Sequence, residues 1–186
     1  MMELKERIME AVVEEFNEKG LKFTMDDIAK HIGISKRTLY TVIRDKEALF
    51  LEAVEEVFSA IKASEREIVE DTSLDIIEKI KRILIVLPQK YKTIDFSQLY
   101  DLKVKFPKIY VKIEIRLETD WDATFLLVEQ AIAEGRMRKV SLPVFQSMVS
   151  GTIEYYLSRT ILADNKIAYE DALNEMLDII MNGMII

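Results

Sequence analysis

At 186 residues, with 49% hydrophobic and 32% charged residues, the chain can bury a real core and is neither disordered nor fibrous. It has no cysteine and one histidine, which excludes a disulfide framework, a thiolate metal site, a cysteine nucleophile and a multi-histidine metal centre. A net charge of −7 speaks against a polyanionic partner unless the basic residues are concentrated somewhere, and they are.

The first residues are charged and amphipathic and carry no signal-peptide core. No apolar run approaches the roughly 20 residues that span a bilayer. The expected setting is cytoplasmic, with no membrane partner. Five Gly and three Pro leave few turning points, and long charged-apolar stretches lack strand alternation, so the expected fold is all-α.

Leu4, Ile8, Val12 and Phe16 recur every fourth residue, and Gly20 follows as a C′ residue, which predicts an amphipathic first helix. Thr24 precedes Met25-Asp26-Asp27 as an N-cap, with two carboxylates at the positive end of a second short helix. Gly33 supplies a sharp turn, and Ser35 caps a third helix whose first turn is Lys36-Arg37-Thr38. Asp45 caps a fourth, which starts at Lys46 and continues to about residue 70 without a flexible linker. Short helix, glycine turn and basic second helix form the plan of a helix-turn-helix DNA-reading head. Residues 21–46 carry a balance of +3, whereas residues 51–186 carry −6. A basic tip on an acidic body attracts phosphate locally and limits DNA binding to an end-on approach.

The body is predicted as five more helices: about 73–87, ending at Pro88; about 95–104; about 107–134, ending at Gly135; about 142–163; and about 168–185. The last two carry apolar residues on more than one face, a pattern that usually has a partner. About nine helices are expected in all.

The head resembles the N-terminal signature of the TetR/AcrR family of transcriptional regulators. The resemblance rests on Arg7-Ile8, Ala11, Phe16, Gly20, Thr24, Ile28-Ala29, Gly33-Ile34-Ser35, Leu39-Tyr40 and Lys46-Glu47-Ala48-Leu49, without a gap across about residues 5–50. Val42-Ile43 departs from it, because the family often has His or Tyr followed by Phe there, and Ile32 is larger than the common alanine.

The resemblance implies a helix-turn-helix DNA-binding domain over 1–48 and an effector-binding and dimerisation domain over 49–186. It further implies a homodimer through the helices at about 142–163 and 168–185, and a palindromic double-stranded operator. A small-molecule effector would release the DNA, which makes the expected function repression; the alternative is an activator, or a constitutive DNA binder without a working pocket. No enzyme activity, catalytic residue, cofactor or metal is expected.

Lys36, Arg37 and Thr38 are the candidates for base edges, Arg37 bidentate to guanine and Thr38 against a thymine methyl; the plainer reading is a solvated basic face. Thr24, Ser35, Tyr40 and Lys46 are the candidates for phosphates, with capping part of the role of Thr24 and Ser35. His31, beside Lys30, reads as a surface residue. Phe96, Tyr100, Tyr110, Trp121, Phe125, Met148 and Tyr155 are the candidates for an effector cavity, although aromatics at helical spacing more often form ordinary core.

Overall fold

The computed structural model describes residues 4–186, and every side chain among them except that of Ser97; residues 1–3 of the expected head lie outside it. Among the described residues there are helices, short 3-10 turns and one isolated bridge between Met137 and Ile185, and no strand. The helices are α1 (Leu4–Lys19), α2 (Met25–His31), α3 (Lys36–Val42), α4 (Lys46–Glu70), α5 (Ile76–Ile85), α6 (Leu99–Lys105), α7 (Pro107–Glu118), α8 (Asp122–Ala133), α9 (Leu142–Ser158), α10 (Ile161–Asp164) and α11 (Tyr169–Asn182). The chain divides into two compact units, Met1–Ala60 with Pro88–Ile113, and Ile61–Leu87 with Glu114–Ile186. Helix α4 passes from the first into the second without a break.

In the first unit α1 contributes Ile8, Ala11, Val12 and Phe16, all buried, at the spacing its sequence shows. Gly20 takes the left-handed conformation at φ 57° that ends α1, and a Cβ there would collide with the Gln98 side chain. Phe50 on α4 is the hub of an aromatic group, 6.4 Å from Phe16, 5.3 Å from Phe23 and 5.4 Å from Phe106 between ring centroids. Such tilted and edge-on pairs add to the burial of the rings themselves.

In the second unit α5 packs against α8 and α11. Asp75 caps α5, its carboxylate accepting from the backbone N–H of Ile77 at 2.8 Å and of Glu78 at 3.2 Å. Ile76, Ile80, Leu84, Val128, Phe145, Leu177 and Met181 form one buried cluster.

Two helices expected to be continuous are broken. The stretch 107–134 is two helices, because Asp120 adopts φ 62° between them. Aspartate tolerates this region better than most residues, and side chains satisfy the carbonyls freed by the break. The Trp121 indole N–H donates to Leu117 O at 2.9 Å, Gln146 to Glu118 O at 2.9 Å, and Lys62 to Asp120 O at 2.8 Å. The stretch 142–163 breaks at Arg159, which is extended (φ −135°, ψ 160°), so α10 is a separate turn.

The wide apolar cover of α11 also has a local cause: Leu173, Met176, Leu177, Ile180 and Met181 are all buried inside its own unit, and Ile179 is its one large apolar residue left exposed. Helix α9 differs. Val144, Met148 and Tyr155 stand about half exposed along one stripe, with Gly151 exposed between them.

Candidate nucleic-acid interface

The head is built by its caps. Thr24 and Asp27 form a capping box: Thr24 Oγ1 accepts from Asp27 N–H at 3.2 Å, and the Asp27 carboxylate accepts from Thr24 N–H at 2.7 Å. The Thr24 hydroxyl and backbone, then Lys19 at 3.1 Å, hold the Asp27 carboxyl far below the usual carboxylate range. At its other end α2 closes in a Schellman motif, with Ile34 N–H donating to Ala29 O at 2.9 Å and Gly33 N–H to Lys30 O at 3.1 Å. Gly33 sits at φ 71°, and a Cβ there would meet nothing, so the glycine is required by conformation and not by space. Ser35 Oγ then accepts from Thr38 N–H at 3.0 Å and starts α3.

Helix α3 has one buried residue, Leu39. Lys36, Arg37, Thr38, Tyr40, Thr41 and Val42 are all exposed, Tyr40 at 49% and Val42 at 40%. A helix so little covered by its own protein has a free face to offer. Tyr40 therefore does not fill the head's core; Ile43, 2% exposed, does.

The expected site residues are not equally available. Arg37 is exposed and unpaired among the described residues. Lys36 lies 3.2 Å from Asp26, which also holds Lys30 at 2.9 Å; these two hydrogen-bonded cations, Lys30 before Lys36, lower the Asp26 pKa. The Ser35 and Thr38 hydroxyls bond one another at 2.8 Å. Lys46 points inward: its ammonium donates to Leu21 O at 2.7 Å and to Phe23 O, and lies 4.4 Å from the centre of the Phe23 ring. Burial pushes its pKa down.

His31 is at the surface as expected, but engaged. Its Nδ1 lies 2.9 Å from Glu15 and its Nε2 3.1 Å from Glu14, both on α1. The hydrogen bond to Glu15 is the main cause of its raised pKa, aided by the charge of Glu14. Glu15 is buried, and Lys19 at 2.6 Å and His31 both lower its pKa.

The candidates for an effector cavity fall into both units. In the first, Tyr110 is buried with Lys103 Nζ 4.7 Å from its ring centre, Phe96 is half-buried and Tyr100 is 40% exposed. In the second, Trp121 lies 6.0 Å from Phe125 and 6.3 Å from Phe145. Met148 and Tyr155 belong to the exposed stripe of α9 and not to that aromatic group.

A family model for bacterial regulatory proteins of the tetR family matches residues 8–53, which run from α1 through the first turns of α4. The HTH-type transcriptional regulator YvaF of Bacillus subtilis is 28% identical over 178 residues, 96% of this chain and 94% of that protein. Residues 8–53 carry the head of the tetR family. The fold of the chain agrees with solved members of that family. The TetR/AcrR-family regulator from Thermobifida fusca superimposes with a TM-score of 0.69 at 18% identity, over 96% of this chain and 97% of that one. The fatty acid degradation regulator FadR from Bacillus halodurans does so with a TM-score of 0.64 at 16% identity, over 96% and 95%. With that head, and with similarity to a transcriptional regulator along nearly its whole length, the chain is a DNA-binding transcriptional regulator and not an enzyme. No helix among the described residues is long and apolar enough to cross a membrane.

The motif does not reveal what three residues of this head do. Asp26 restrains Lys36 across the glycine turn. Thr41 lies one turn beyond Arg37 and Thr38 on the exposed face, a position helical spacing alone reveals. Arg7 donates to Ile32 O at 2.5 Å, so α1 closes the end of α2.

Proposed function

We propose that this regulator is a repressor that reads a palindromic operator as a homodimer and leaves it when a small, largely apolar effector binds. One observation carries the DNA-reading part: α3 buries only Leu39 and presents Lys36, Arg37 and Thr38 on its exposed first turn. Arg37 is the residue for a guanine edge, Thr38 for a thymine methyl, and Lys36 joins them once it exchanges Asp26 for DNA. Thr24, Ser35 and Tyr40 set the register on the phosphates. The functional division is a DNA-binding head over 1–48 and an effector-binding and dimerisation body over 49–186.

The homodimer contact is proposed through α9 and α11, chiefly by the stripe Val144, Met148, Gly151 and Tyr155, where glycine allows close approach. Two-fold symmetry then sets half-sites about 34–36 Å apart, or a multiple of that. The effector is assigned to the helical body, with Trp121 and Phe125 the better placed of the aromatic candidates. It lowers DNA affinity only by as much as it prefers the released conformation.

Footprinting on a natural promoter tests the repressor assignment. A protected palindrome overlapping the polymerase site, cleared by an apolar ligand, supports it. Protection upstream of that site with increased transcription would make the protein an activator, and protection indifferent to every ligand tried would make it a constitutive binder.

A further inference from the structure

Lys46 stands at the first position of α4, next to the cap residue Asp45, whose carboxylate accepts from Ala48 N–H at 2.8 Å. Its side chain runs back to the segment between α1 and α2, where it donates to the carbonyls of Leu21 and Phe23. Phe23 is fully buried and Leu21 nearly so, so these carbonyls lie where water has little access and a donor is needed. The Phe23 ring at 4.4 Å and the Phe50 ring at 5.7 Å complete the surroundings of the ammonium. The residue after Phe23 is Thr24, the cap of α2, and α2 carries α3 through the Schellman turn.

We infer that Lys46 is a positioning residue, which ties the start of α4 to the entry of α2 so that the reading head follows α4, and is not a phosphate ligand. A phosphate would have to outcompete two carbonyls and an aromatic face for the same ammonium. Any displacement of α4 is passed through this tie to the cap of α2, and from there to Lys36, Arg37 and Thr38. The same tie gives an effector in the body a path to the head. The inference rests on the proposed DNA-reading face for its consequence, but the pose of Lys46 is a property of the free protein and is tested there.

Two measurements separate the roles. The first is acylation of lysine amines in wild-type protein, followed residue by residue by mass spectrometry, with and without operator selected from random DNA. Lys46 is expected to react far more slowly than Lys36 in the free protein and to be unchanged by DNA, while DNA protects Lys36. The second compares wild type with Lys46→Met. The variant is expected to melt roughly 2–8 °C lower without DNA, and to lose about tenfold in affinity at every salt concentration, as for a lost hydrogen bond to a charged group.

Its plot of log affinity against log salt should keep the wild-type slope, whereas loss of a phosphate ligand flattens the slope by about 0.9 per contact. Rapid labelling of Lys46 in the free protein, protection of it by DNA, an unchanged melting point or a flattened slope would each overturn the inference. If DNA fails to protect Lys36, the reading face is wrong, and the labelling of free Lys46 still decides its pose.

Discussion

In the proposed reading, Arg37 is the residue on which α3 depends most, because it is exposed, unpaired among the described residues and able to grip one base edge with two hydrogen bonds. Arg37→Ala should weaken operator binding by about 10–100-fold, the range for one good bidentate base contact. It should also relax the preference at one base position in each half-site, read by binding a set of single-base operator variants. Equal affinity for wild type and variant would remove Arg37 from the interface. Thr24 is different, since its capping box is internal to the fold. Thr24→Ala should cost about 1 kcal/mol of stability in urea unfolding without DNA, whatever the operator does. The caps at Thr24, Ser35 and Asp45 were legible because a cap is local: the residue and its N–H partner lie within three positions. The pose of Lys46 was not, because its carbonyl partners lie more than 20 residues away and the sequence marks them with nothing.

At the scale of elements, the junction of α1 with α2 makes the head pH-sensitive through His31 and Glu15. Glu15 and Glu14 address the two ring nitrogens of His31, an arrangement that only the imidazolium satisfies fully, since a neutral ring has one N–H. Lys19 on α1 and Asp27 and Lys30 on α2 are the other nearby charges, with Lys19 bridging Glu15 and Asp27. The folded pKa of His31 is raised above its ordinary 6.5, so its contribution is full below that value and disappears as pH rises through the folded pKa. Glu15 has a lowered pKa, so its contribution holds above the ordinary 4.5 and disappears as pH falls. The head should therefore be most stable between about pH 4.5 and 6.5, and its melting temperature should fall as pH rises through the folded pKa of His31. His31→Gln should flatten that alkaline limb; an unchanged limb in the variant would show that another group causes it.

Gly33→Ala makes the corresponding test of the turn. It should cost roughly 1–2 kcal/mol, for a left-handed residue with room for its methyl but no conformational right to it. Helices α1 to α4 were legible nearly to the residue because periodicity, caps and glycine turns agree. The break between α7 and α8 was not, since no glycine or proline marks it. It is held by Trp121, Lys62 and Gln146, side chains whose approach is a tertiary event.

For the whole molecule, the charge pattern and the α9 stripe make linked demands. In the proposed reading the acidic body keeps the protein away from DNA except at its basic head, and a two-fold pair of heads requires a self-complementary face. Met148→Asp places a charge in the centre of the α9 stripe, on a residue already half exposed, so the subunit fold should survive. Light scattering should then show a monomer where the wild type is a dimer, together with a large loss of operator affinity; a dimeric variant would move the interface elsewhere. The sequence alone could not single out the α9 stripe, because it cannot distinguish apolar residues that pack internally from those left for a neighbour.

The most direct test of sequence reading by a two-headed dimer is selection of bound sequences from random double-stranded DNA by the purified protein. The expected product is an inverted repeat whose half-site centres lie about 34–36 Å apart, or a multiple of that, with Arg37→Ala losing one base position in each half. A bound pool no richer in any sequence than the starting library would contradict the account.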